Sequence, residues 1–152
     1  MEKNRITLSE IKELIPHREP FLYIEELNNI QKLNRATGIN TFRDEDSFFT
    51  GHFPGHPVVP GVILIEMMAQ TAAALIAYSI RDETFDKIVY LMNIESSKFR
   101  KPVFQNEKIK ENVVAMRSKG RVWRFEGNSF NEKEELVCSS KWSAMIMDRN
   151  NE

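Results

Sequence analysis

A long apolar stretch from residue 62 to residue 80 constrains this chain more than any other feature. Pro60 stands just before it, and proline is common near the start of a helix. The length predicts a buried helix of about five turns. The main polar interruptions are Glu66, Gln70, Thr71 and Ser79. A helix of this kind either crosses a membrane or fills the core of a globular fold.

Two polar side chains decide between these alternatives. Glu66 lies near the middle of the stretch, where an acidic residue costs about 2.5–3.5 kcal/mol on membrane-insertion scales. Gln70 adds a second polar group one turn later on the same face. We therefore predict a buried core helix and no membrane span. A buried carboxyl has a raised pKa, which makes Glu66 a candidate proton donor.

The remaining segments predict the elements that cover this helix. Thr7 and Glu10 match a capping box, which predicts a short helix that ends at Pro16. Alternating or β-branched residues predict further strands. The predicted strands are residues 20–30, 33–43, 86–98, 108–118, 121–130 and 135–147. Together they predict an α+β fold in which an antiparallel sheet of five or six strands curls around the long helix.

Composition restricts the class of protein. The chain has 152 residues, and we take residues 1–152 as a single domain. Its formal net charge of −1 provides no global attraction for nucleic acid. Cys138 is its single cysteine, and the polar N-terminus lacks a signal-peptide pattern. These features predict a cytoplasmic protein with a reduced, packed thiol.

The loop before the long helix carries the candidate chemistry. Residues 50–61 contain three prolines and three glycines, which exclude a regular element there. A neutral imidazole at His52 can take a proton from carbon, and a protonated Glu66 can give one to a leaving oxygen. Free N–H groups near Gly61 can stabilise an enolate-like oxygen. This combination favours elimination of water beside a carbonyl, and a structural or surface His52 is the alternative.

A family resemblance is carried by residues 51–70, GHFPGHPVVPGVILIEMMAQ. This run closely resembles the signature of FabZ-type (3R)-hydroxyacyl-acyl-carrier-protein dehydratases. The similarity continues at residues 15–22, 87–91 and 98–103. It implies the hotdog fold, a long central helix wrapped by a curved antiparallel sheet. It also implies conversion of a (3R)-hydroxyacyl thioester on acyl carrier protein to the trans-2-enoyl thioester.

The same resemblance implies roles for individual residues. His52 would be the base at C2, and Glu66 of the other subunit would assist departure of the 3-hydroxyl. Gly61, with Val62, would bind the thioester carbonyl through backbone N–H groups. The expected substrate-binding set also includes Phe53, Pro60 and Gln70. The resemblance implies no metal or redox cofactor, and it implies a substrate carried on the phosphopantetheine of acyl carrier protein.

Partners follow from charge and from the resemblance. Residues 98–124 hold nine Lys or Arg and two Glu, a net charge of +7. A basic face with Lys98, Arg100 and Lys101 would steer an acidic acyl carrier protein, although strand alternation could also scatter these charges over solvent. Nucleic acid is a weaker alternative, because no recognition motif accompanies the charges. The resemblance implies a homodimer with shared active sites, and it leaves open whether the dimers assemble further into a trimer of dimers.

Several residues depart from the family pattern or leave alternatives open. His56 replaces a usual basic residue, and Gln105 and Asn106 replace a common Pro-Gly turn. Gln70 either orients Glu66 or is satisfied by backbone. His17 is expected to have a structural hydrogen-bonding role.

Two alternatives to the dehydratase function stay open. One is another hotdog thioester enzyme (an enoyl-CoA hydratase, a FabA-like dehydratase/isomerase or a thioesterase), and the other is a non-catalytic acyl-carrier-binding subunit.

Overall fold

The structure is a computed structural model, and it describes residues 4–81 and 87–148. Within these ranges, two α-helices and seven strands follow one another. Their bounds are β1 Arg5–Thr7, α1 Leu8–Leu14, β2 Glu26–Gln31, β3 Arg35–Phe42, α2 Gly61–Ser79, β4 Lys87–Phe99, β5 Glu107–Lys119, β6 Val122–Phe130 and β7 Leu136–Asp148. A 3-10 turn at Ser47–Thr50 precedes the Gly/Pro loop.

All seven strands form one antiparallel sheet in the order β1-β2-β3-β5-β6-β7-β4. The long hairpins β5–β6 and β6–β7 make its centre. β4 pairs with β7 and forms one edge. From residue 90 to residue 96 its side chains are exposed on both faces. Strand β4 therefore has a hydrogen-bonded neighbour along one side only, and no other described part of the chain covers its side chains between residues 90 and 96.

Helix α2 is the core helix, and the sheet wraps around it. Among the described residues it is the single helix long and apolar enough to cross a membrane, but 72% of that window is buried inside the fold. Contact with the sheet is close at Gly38 of β3, where an added Cβ would lie 2.1 Å from the Thr71 hydroxyl oxygen. A residue larger than glycine would push the helix from the sheet. The predicted core helix is confirmed.

Most predicted elements match. The capping residue Glu10 accepts hydrogen bonds from the N–H and the hydroxyl of Thr7, and α1 ends before Pro16 as expected. Three predictions need correction. The strand predicted for residues 20–30 begins only at Glu26, because Gln70 binds the backbone of Phe21 and Tyr23. The short β1 was not predicted, and the sheet has seven strands rather than five or six.

A long helix wrapped by a curved antiparallel sheet is the hotdog fold, as predicted. The fold places the end of the Gly/Pro loop and the first turns of α2 beside the segment that joins β4 to β5. Val59 donates a backbone hydrogen bond to the Val103 carbonyl at 2.8 Å, which ties these two regions together.

Candidate active site

His52 lies in a loop whose backbone is closed by several hydrogen bonds. Its N–H donates to the Phe48 carbonyl, and its own carbonyl accepts from Val58 at 2.9 Å. Its ring Nδ1 lies 2.9 Å from the Val58 carbonyl oxygen. A carbonyl can only accept, so Nδ1 carries a proton, and in the neutral form of the ring the lone pair is on Nε2. The Phe53 ring stacks on the imidazole at a centroid distance of 4.1 Å.

Glu66 lies in the second turn of α2 and is mostly buried. Its side chain is 22% exposed, and desolvation raises its pKa, while the hydrogen bond from Gln70 opposes the rise. Gln70 Nε2 donates to Glu66 Oε1 at 3.0 Å. A carboxyl in this setting holds its proton to higher pH than an exposed one. The burial expected for Glu66 from its place in the apolar stretch is observed.

Gln70 itself is fully buried and makes three hydrogen bonds. Its amide oxygen accepts from the Tyr23 N–H at 2.7 Å, and its Nε2 also donates to the Phe21 carbonyl at 3.2 Å. Gln70 therefore does both things that the sequence left open: it donates a hydrogen bond to Glu66, and its other hydrogen bonds go to backbone groups. It fixes the carboxyl against the segment that precedes β2.

The N-terminus of α2 opens on a cavity of about 470 Å³. The N–H groups of Gly61 and Val62 belong to the first turn, which has no earlier helical turn to supply acceptors. An added Cβ at Gly61 would lie 2.7 Å from the Phe99 ring, so glycine lets the ring approach the helix end. The cavity is lined by Val59, Gly61, Val62, Leu64, Phe99, Arg100, Lys101, Pro102 and Val103.

The three candidate docking cations are exposed but not equivalent. Arg100 and Lys101 line the cavity at the α2 N-terminus. Lys98 lines a neighbouring groove of about 290 Å³, which Arg100 also borders. Lys101 pairs with Glu135, and Arg124 further along pairs with Glu95. Part of the basic charge is thus neutralised locally.

The fold brings some predicted residues together and keeps others apart. Pro60, Gly61 and Val62 form the helix start, with Glu66 and Gln70 one to two turns inside it. Within the described ranges, no hydrogen bond or ion pair joins His52 to Glu66. No feature of the sequence indicated that the Val58 carbonyl is the acceptor that orients His52. The sequence also did not indicate that His17 lies beside Glu66.

The structure shows the environment of two residues that depart from the family pattern, Asn106 and His56. Asn106 adopts a positive φ of 65°, a conformation that asparagine tolerates better than most residues. It can therefore replace a turn glycine at the start of β5. The exposed His56 packs edge-on against Phe104 at a centroid distance of 6.0 Å. Within the described residues, no hydrogen bond or ion pair joins His56 or Asn106 to Glu66.

The fold defines the class: the chain is a hotdog-fold protein. A family model described as a FabA-like domain matches residues 15–140. The chain is 40% identical over 149 residues to 3-hydroxyacyl-[acyl-carrier-protein] dehydratase FabZ of Acidiphilium cryptum, covering 97% of this chain and 89% of the relative. It is 41% identical over 144 residues to the FabZ of Rickettsia typhi, covering 95% and 98%.

The chain therefore belongs to the FabA-like family, and within it to the FabZ-type dehydratases. Among solved structures, the dehydratase heterocomplex ApeI:P of Xenorhabdus doucetiae contains a chain similar in fold. Its TM-score is 0.80, with 16% identity and 91% of each chain covered. At that identity the likeness concerns the fold alone.

Proposed function

We propose that this protein removes water from (3R)-3-hydroxyacyl groups carried by acyl carrier protein and releases trans-2-enoyl thioesters. The observation that carries the proposal is about 40% identity to curated dehydratases along nearly the whole chain. Removal of water involves no net oxidation or reduction, so the proposed reaction uses acid–base groups and no redox cofactor, and the proposal includes no metal. The substrate arrives on the phosphopantetheine of its carrier. The lone Cys138 suits a reducing, cytoplasmic location.

In this proposal His52 is the base. Donation from Nδ1 to the Val58 carbonyl leaves the Nε2 lone pair to take the C2 proton. The C2–H electron pair moves into the adjoining thioester carbonyl and produces an enolate oxygen. The N–H groups of Gly61 and Val62, at the positive end of the α2 dipole, stabilise that oxygen. The proposal also assigns substrate contacts to Pro60, which precedes Gly61, and to Phe53, whose ring stacks on His52.

Glu66 is the proposed acid. Its buried carboxyl gives a proton to the 3-hydroxyl as the C3–O bond breaks, so that water leaves and the C2–C3 double bond forms. His52 then carries the extra proton and Glu66 lacks one. Solvent exchange returns both groups to their starting state without any external oxidant or reductant.

We further propose that the active unit is a homodimer. His52 and Glu66 make separate contacts within one chain, which agrees with a site that joins His52 of one subunit to Glu66 of the other. The exposed edge strand β4 supplies a suitable surface, since Leu91, Met92 and Ile94 are 43–50% exposed there. An open edge with apolar side chains favours pairing with a second strand. Assembly of dimers into a hexamer belongs to the same proposal.

Acyl carrier protein is the proposed partner. Carrier proteins of this type are acidic, and Arg100 and Lys101 flank the cavity that opens at Gly61. Positive charge at this mouth would attract the carrier and orient the phosphopantetheine arm toward the helix end. Lys98 extends the basic surface on the neighbouring groove.

A mass-spectrometric assay tests the proposed function. Purified protein is incubated with 3-hydroxyacyl-carrier-protein substrates of several chain lengths, beside the His52→Ala variant. We expect loss of water with the wild type and at least about a 100-fold slower reaction with the variant. Retained turnover in His52→Ala would refute the base assignment. Absence of reaction at every length would favour a non-catalytic carrier-binding subunit, and release of free thiol would favour a thioesterase.

A further inference from the structure

His17 lies beside Glu66, although the acid–base steps described above do not use it. Its Nε2 is 3.7 Å from Glu66 Oε1, and the two side chains are 21% and 22% exposed. This separation is slightly longer than a hydrogen bond and shorter than a gap that water would fill. The imidazole and the carboxyl are therefore direct neighbours in a mostly buried site.

The backbone on both sides of His17 is anchored. The Arg18 guanidinium donates to the carbonyl oxygens of Lys12, Ile15 and His17, which fastens the segment to the end of α1. Gln70 binds the backbone of Phe21 and Tyr23, which fastens the following residues to α2. The ring is thus held at Glu66 from two sides.

The protonation of His17 follows from its surroundings. Burial, and after it the positive charge of Arg18, lowers the pKa of His17, so the ring is neutral and carries one N–H. Nδ1 is buried and has no hydrogen-bond partner among the described residues. A buried N–H without an acceptor is a rare defect. The tautomer with its proton on Nε2 avoids that defect, because it directs the N–H at Glu66 Oε1.

Glu66 Oε1 then faces two donors. Gln70 Nε2 donates to it at 3.0 Å, and His17 Nε2 approaches the same oxygen. A protonated carboxyl has one oxygen that mainly accepts and one that carries the hydrogen. Two donors at Oε1 make it the accepting oxygen. The hydrogen is left on Oε2, which makes no hydrogen bond to any residue in the described ranges.

We propose that His17 is a positioning residue that, together with Gln70, directs an N–H at Oε1 of Glu66 and so keeps the acid proton on Oε2, ready for the substrate hydroxyl. This inference depends on the proposed role of Glu66 as the acid. It assigns His17 a task that a packed aromatic ring could not perform.

Replacement of the ring nitrogens tests the proposal. His17→Phe keeps the ring and removes both nitrogens, whereas His17→Gln places an amide nitrogen near the position of Nε2. We expect His17→Phe to lower kcat by about 10- to 100-fold with KM changed less than about twofold, the usual scale for residues that orient a reactive group. His17→Gln should recover most of that loss. Thermal unfolding by circular dichroism reports whether each variant folds.

A double-mutant cycle with Glu66→Gln separates positioning from packing. That background has no acid proton to place, so His17→Phe should change its residual rate by less than about twofold. Equal losses in both backgrounds, unchanged kcat in His17→Phe, or a loss confined to KM would each overturn the proposal. If His17→Phe does not fold, His17→Asn replaces it, because its shorter amide cannot reach Oε1. Equal rates for the Asn and Gln variants would then overturn the proposal.

The controls distinguish this inference from the proposed function. A wild type that dehydrates no substrate refutes the function and the inference together. Wild-type activity with an unimpaired Glu66→Gln variant refutes the acid role on which the inference depends. Normal activity, an impaired Glu66→Gln variant and a fully active His17→Phe variant refute the inference alone.

Discussion

At the residue scale, the proposed acid role of Glu66 gives the sharpest prediction. Gln has the shape of Glu and accepts the same hydrogen bond from Gln70, but it has no acid proton. We expect Glu66→Gln to lower kcat by about 10²- to 10⁴-fold while KM stays within a few-fold. Initial rates over a range of substrate concentrations measure both. Glu13→Gln, an exposed change of the same chemistry on α1, is the matched control. Near-normal turnover by Glu66→Gln would move the acid role to another group.

Glu111 is a second buried carboxyl, on the inner face of β5, and it affects stability. Ser129 donates to its Oε2, while Oε1 has no partner among the described residues. Complete desolvation raises the pKa of Glu111 well above its ordinary value. The carboxyl therefore stays protonated in the folded protein at pH values where the unfolded chain has released the proton. Its contribution to stability is present at low pH and is lost as pH rises through this range.

We predict that Glu111→Gln stabilises the protein relative to wild type more at pH 8 than at pH 5. Between the pKa of Glu111 in the unfolded chain and its higher pKa in the folded protein, each added pH unit lowers the free energy of unfolding by about 1.4 kcal/mol. Urea unfolding at both pH values gives the difference. A Glu111→Gln effect independent of pH would contradict this account. Glu126→Gln, on a partly exposed carboxyl of β6, serves as the control.

Some contacts between residues could be predicted from the sequence, and others could not. The raised pKa of Glu66 and its contact with Gln70 follow from helical spacing inside an apolar stretch. The contact between His17 and Glu66 spans 49 positions of the chain and is set by the anchoring of a loop. The partner of His52 Nδ1 is a backbone carbonyl, which residue identity cannot indicate.

At the element scale, the start of α2 controls the cavity. Phe99, at the end of β4, lies over Gly61 and is 53% exposed. A Cβ at residue 61 would meet its ring at 2.7 Å, but a half-exposed ring can turn aside. Alanine also has higher helix propensity than glycine. Stability should therefore change little, while the helix end and the cavity become obstructed.

We accordingly predict that Gly61→Ala keeps its melting temperature within a few degrees and loses about 10- to 100-fold in kcat/KM. Phe99→Ala introduced into the same chain should recover part of the loss, because it removes the ring that the methyl group displaces. Calorimetry and steady-state rates measure the two effects. Wild-type rates in Gly61→Ala would show that the helix end is not close to the reacting thioester.

The elements themselves were largely predictable. Capping at Thr7, the Gly/Pro loop, the long helix and the four C-terminal strands depend on local hydrogen bonding and periodicity. The strand predicted from residue 20 begins late because its backbone is satisfied by a glutamine on a distant helix. β1, with three residues, is too short to show a period and exists because β2 pairs with it.

At the scale of the whole molecule, the exposed strand β4 predicts how copies associate. If two copies pair along this edge, a lysine at Ile94 introduces two like charges into a symmetric, apolar contact. Such repulsion costs several kcal/mol, which corresponds to at least about a 100-fold weaker dimer. Ile94→Lys should then be monomeric and inactive in light-scattering and rate measurements. Met116→Lys, on an exposed apolar residue of β5, is the control. A fully active Ile94→Lys monomer would refute the shared site.

The sequence by itself determined most of the helix, strand and loop segments, and it named His52 and Glu66 as the candidate base and acid. It did so because capping, periodicity and the backbone preferences of glycine and proline act over a few neighbouring residues. Only the tertiary structure decided that β4 lies at the sheet edge beside β7, that Phe99 covers the start of α2 and that His17 meets Glu66. These contacts join distant parts of the chain. They depend on how a sheet closes around one helix and on which side chains must find partners inside it.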